Sequence, residues 1–141
     1  MLIKEIRKEI ARLLSLDAEI GGTFQVHVYN SSQLPGKYNN ELCVYSGGSS
    51  PSQYPVIGKS SGRPVYQYIL YWLVKFDQGQ LEEKEDLCDD IENAIYRVLG
   101  TENYSNTMWR KIVFPHFSLR PLAPGGVNNS HPGRTIVRII T

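Results

Sequence analysis

The sequence predicts a single α+β domain spanning residues 1–141: two main helices packed on a mixed or antiparallel sheet of about four to five strands, in the order α-β-β-β-α-β-β. Three observations carry that prediction. Residues 65–76, VYQYILYWLVKF, alternate at period 2 between an apolar face and a mixed one. Two other segments, near the N-terminus and from Leu81 to Leu99, repeat apolar residues at helical spacing. Shorter apolar runs before and after them are bounded by Gly, Pro, Ser and Asn, the residues that turns require.

The chain opens on an amphipathic helix, with Leu2, Ile6, Ile10, Leu13 and Leu14 on one stripe and Lys4, Glu5, Arg7, Lys8 and Arg12 largely on the other. Phe24, Val26 and Val28 alternate with Thr23, Gln25, His27 and Tyr29, giving a first strand with one buried face. Residues 41–46, ELCVYS, read as a short second strand inside a loop-rich stretch, 30–64. In the third strand Tyr66, Tyr68, Leu70, Trp72, Val74 and Phe76 form the core face, leaving Ile69, Tyr71 and Leu73 on the mixed one. The second helix has Leu87, Ile91, Ala94, Ile95, Val98 and Leu99 on its stripe and Gly100 to end it. In MWRKIVFPHFSLRPL, Pro115 cannot donate to a ladder, which predicts an edge strand or a bulge. The turn residues APGGVNNSHPG then lead to RTIVRIIT, a last strand carried to Thr141.

Fifteen basic and fourteen acidic residues give a net charge of +1, so no global field announces a nucleic-acid binder or an acidic mimic. Cys43 and Cys88 read as small buried hydrophobes in a reducing compartment. The N-terminus has charges at nearly every turn and does not read as a signal or anchor, and the apolar run 68–74 is far too short to span a bilayer, so no membrane is expected.

Catalytic and ligand readings fail on spacing. His27, His116 and His131 lack the H-x-x-H or C-x-x-C partners that place two ligands on one metal, and neither cysteine stands beside a histidine in an exposed pattern. Carboxylates crowded on one helix share one environment, whereas paired acid and base groups need different ones. Gly58, Lys59 and Ser60 imitate the end of a P-loop, but Gln53 stands where its first glycine belongs. No enzyme, cofactor or metal is expected. The loop cations Lys37, Lys59 and Arg63, interleaved with Tyr38 and Tyr54, form a dispersed candidate for contact with a partner or nucleic acid.

Charge is separated along the chain. Seven acids lie between Glu82 and Glu92, whereas beyond Glu92 a single acid, Glu102, faces Arg97, Arg110, Lys111, Arg120, Arg134 and Arg138. Such asymmetry suits head-to-tail association of identical subunits. In the order and spacing of VYQYILYWLVKFDQGQLEEKEDLCDDIENAIYRVLG and RTIVRIIT, nearly the whole chain resembles the tail terminator, or tail completion, proteins of long-tailed bacteriophages. The likeness is one of pattern and transfers no functional residue. It implies a virion protein of the tail and neck, assembled in the host cytoplasm. Its ring, six subunits in that family, would cap the tail tube protein, stop tube growth, present a surface to the head-tail connector and let genome DNA pass without sequence-specific binding.

The expected ring interface comprises Ile69, Tyr71 and Leu73 on the mixed strand face, and Asp86, Asp89 and Asp90 against Arg134 and Arg138. The competing reading of the strand residues is core beneath the first helix. Other phage neck proteins, such as head completion or connector proteins, share this size and style. A small nucleic-acid-binding or ligand-binding domain is the alternative from another class.

Overall fold

The computed structural model describes residues 2–50, 64–77, 79–101, 106–120 and 130–141. Helix α1 (Leu2–Leu16) is followed by a π-helical turn (Ala18–Thr23), strands β1 (His27–Tyr29), β2 (Asn40–Ser50) and β3 (Val65–Lys75), helix α2 (Leu81–Thr101), and strands β4 (Lys111–Val113) and β5 (Ser130–Ile140). The five strands form one mixed sheet in the order β1-β2-β3-β5-β4, with β1 parallel to β2 and every other pairing antiparallel. This is the α+β class and element order that the sequence predicts, with the π-helical turn added.

Both helices lie on one face of the sheet. Ile6, Ile10 and Leu14 of α1 and Cys88, Ile91, Ile95 and Leu99 of α2 share a core with Leu42, Val44, Tyr68, Leu70, Trp72, Val74, Val137 and Ile139. The even-numbered residues of β3 thus face the helices, as its alternation requires. The Tyr68 hydroxyl donates to the Ile3 carbonyl at 2.7 Å and ties the start of α1 to mid-sheet. At the other end of α1, Asp17 caps the π-helical turn by accepting from the Glu19 and Ile20 amides. Arg97 of α2 reaches the same carboxylate at 2.8 Å and Glu19 at 3.1 Å. Burial alone would raise the Asp17 pKa, but the Arg97 guanidinium and the two amides together hold it below the usual value.

Several element boundaries differ from expectation. The first strand pairs only over His27–Tyr29, because the chain upstream is wound into the π-helical turn and Gln25 has a positive φ of 52°. Val26 is nonetheless buried, on the face that the alternation assigns. The second strand is not six residues but eleven, since Gly48, Ser49 and Ser50 continue to pair with β3 beyond a register shift between Ser46 and Gly48. Gly100 does not end α2 in a left-handed turn; the helix runs through it to Thr101. The last strand starts at Ser130, inside the expected turn, because Ser130–Gly133 pair with Trp72–Lys75. Gly133 permits that pairing: a Cβ there would stand 2.1 Å from the Trp72 ring.

β4 is an edge strand, and it breaks at the proline. It pairs with β5 over Lys111–Val113, the chain bulges through Pro115, and pairing resumes at one bridge, Leu119 to Arg134. Ser118 within this return joins a hydroxyl chain from Tyr96 of α2 to Thr135 of β5, and so fastens the edge to the helix layer.

Candidate assembly surface

With α1 and α2 on one side, the opposite sheet face has no helix over it among the described residues. Ile69, Tyr71 and Leu73 lie there, each half-buried by its cross-strand neighbours and outside the main core. The reading that places them beneath the first helix therefore fails: α1 packs on the alternate residues of β3. Register assembles the rest of the face, with Ile69 opposite Ile136 and Tyr45, Tyr71 opposite Arg134 and Cys43, and Gln67 opposite Arg138.

Its charge is one-sided. Lys75, Lys111, Arg134 and Arg138 lie on this face, and the five strands contain one acid, Glu41. Glu41 is not available to them as a surface charge, being 1% exposed. Its carboxylate accepts from the Gly36 and Lys37 amides at 2.9 and 3.2 Å and from the Tyr29 hydroxyl at 2.9 Å. Desolvation and the neighbouring Glu41 carboxylate push the Tyr29 phenol up to about 12. The Lys75 ammonium donates to the Gly36 carbonyl, and Tyr38 stacks on His27 with ring centroids 3.5 Å apart. Together these contacts fold the 30–39 segment over the β1–β2 end of the open face. Nothing in the alternation marked Glu41; its signal was an acid in a strand otherwise without one.

Lys37, from the dispersed loop candidate, is exposed and donates its amide to Glu41. Lys59 and Arg63 lie outside the described residues, as do Tyr54 and the P-loop imitation.

The acidic candidates divide. Asp86 and Asp90 are exposed on α2 and make no ion pair among the described residues. Asp89 is engaged within its own chain, because Arg120 binds it at 2.7 Å and also reaches Glu85 at 3.1 Å and Glu92 at 3.4 Å. His131 adds to the cluster through Glu85 at 3.2 Å and stacks on Phe76. Arg120 was expected only as one of the late cations, yet it engages three of the seven acids of the helix. Arg134 makes no side-chain ion pair among the described residues, and Arg138 donates to Gln67 at 3.2 Å. α2 covers one face of the sheet and Arg134 and Arg138 lie on the other, and the two charged sets form no ion pair with each other among the described residues.

Where β4 breaks, a groove of about 760 Å³ opens at the sheet edge. Phe114, Phe117, Leu119 and Ile136 supply apolar walls, with Arg134 and His116 beside them. Phe117 is 93% exposed and Leu119 51%. The proline inside an apolar run was the sequence signal for the break, but it gave no sign that the break leaves a groove.

Both cysteines are free and buried, and burial raises both thiols, Cys88 to about 11. Among the described residues no three side chains of metal-ligating type converge, and no helix is long and apolar enough to cross a membrane. The open face and the groove combine apolar area with the Arg134 guanidinium, which has no ion pair among the described residues. No protein-family model and no curated protein matches the sequence.

Proposed function

We propose that this chain is a structural assembly subunit of the phage tail-terminator type, which associates head to tail into a ring, hexameric in that family, at the head-proximal end of a tail tube. The observation that carries this reading is the sheet with one helix-covered face and one open face that is apolar and cationic, with no accessible acid among the described residues of its strands. A second surface of opposite sign, the outer side of α2, makes the subunit complementary to another copy of itself. In this reading the chain acts by shape. It caps the tube protein, meets the connector of the neck and leaves a passage for the genome. The same geometry serves another neck protein equally in self-association, and binding to tube rather than to connector separates the two.

Light scattering behind a sizing column, over a range of concentrations, tests the self-association. The expected result is a concentration-dependent closed oligomer, with a hexamer as the tail-terminator outcome. A monomer at every concentration overturns the reading. Salt-dependent retention of duplex DNA by that monomer would instead support a nucleic-acid-binding domain, because phosphate contacts release counterions.

A further inference from the structure

The groove beside Pro115 and the first turn of α2 are complementary. Phe114, Pro115, Phe117, Leu119 and Ile136 line the groove with the Tyr96 ring, Arg134 stands in its wall beside His116, and no acid lies among its described lining residues. The start of α2 is the inverse. Leu81 is 59% exposed, and exposed Glu82, Glu83 and Asp86 follow it within the next five residues. None of those three acids makes an ion pair among the described residues. An exposed leucine ringed by acids has little to gain from water, and an exposed phenylalanine beside an arginine with no ion pair among the described residues has as little.

We propose that the groove formed by Phe114, Phe117, Leu119, Ile136 and Arg134 receives the first turn of α2 from a second copy of this chain, with Leu81 as the apolar anchor and Glu82 and Asp86 directed to Arg134. The proposal rests on the self-association reading above and specifies its contact. It differs from the interface expected from sequence, since it moves the acid contact toward the helix start and away from Asp89, which Arg120 already holds. A helix end set into an apolar cleft and oriented by flanking charge is a recurrent mode of recognition. Because groove and turn are different patches, the contact is heterologous and propagates to a ring or a filament.

The test uses two variants of the full chain. Glu82→Lys with Asp86→Lys reverses the turn, and Phe117→Asp with Arg134→Glu reverses the groove; these side chains are exposed, so each protein should keep the parent's circular dichroism and melting behaviour. Each variant alone is expected to need roughly tenfold or more protein to assemble, by light scattering. Mixed in equal amounts they should associate again, since the intact groove of one meets the intact turn of the other. Leu81→Ser should weaken assembly without changing its salt dependence. If both charge variants assemble at the parent's concentration, the groove is not the contact, although self-association stands. If the parent never assembles, the self-association reading fails and this contact fails with it. If Arg134→Glu abolishes DNA retention in a protein that stays monomeric, the occupant is nucleic acid and the proposal is overturned.

Discussion

The two faces of the sheet are built from the same strands and have opposite fates. On the helix side, Tyr68, Leu70, Trp72 and Val74 are fully buried against α1 and α2. One residue away along β3, Ile69, Tyr71 and Leu73 are only half-buried, although they are nearly as apolar. A chain that needed only to fold would put polar residues on its uncovered face, as half-solvated antiparallel sheets commonly do. Assembly is the use we propose for this apolar surplus.

Substitutions on neighbouring residues can break that contrast. Leu70→Ala, in the covered face, is expected to cost about 2–5 kcal/mol in chemical denaturation. Gly133→Ala should cost about 1–3 kcal/mol, because the new methyl meets the Trp72 ring and one of them must move. Ile69→Ala, on the open face, should cost about 1 kcal/mol in the monomer while weakening assembly. Equal losses for Leu70 and Ile69 in the monomer would mean that both faces are core, and the distinction drawn between them would fall.

Smaller effects sharpen the contrast at the ends of the layers. Asp17→Ala removes a cap and should cost about 1 kcal/mol. The folded pKa of Asp17 lies below its ordinary 3.8, so its contribution is present above that pH and is lost as pH falls through the folded value. Stability measured between about pH 5 and 2 should therefore fall less steeply for Arg97→Ala, which removes the main charged partner. Finally, Cys43 lies in β2 and Cys88 in the helix layer, yet both should resist a thiol reagent at pH 8 until the protein unfolds, since both are buried and burial raises both thiols. Rapid labelling of Cys43 alone would show that β2 opens to solvent more readily than the helix layer.

What the sequence determined by itself was local and periodic. The alternation of β3 assigned its faces, the apolar stripes placed α1 and α2, and Pro115 marked the broken edge strand, because each of these follows from backbone geometry over a few residues. Only the tertiary structure decided what depends on distant pairing. The order β1-β2-β3-β5-β4 joins strands far apart in the chain, and pairing with β3 turned residues expected as loop, Gly48–Ser50 and Ser130–Gly133, into strand. Polar and glycine-rich segments carry little intrinsic strand preference, so a neighbouring strand decides for them. Charge pairing followed the same rule. The surplus of acids on α2 was legible, but that Arg120 would claim Glu85, Asp89 and Glu92, leaving Glu82, Glu83, Asp86 and Asp90 without an ion pair among the described residues, required the return of the chain across Leu119. Periodicity reports which way a side chain points, whereas only the packed fold determines what it meets there.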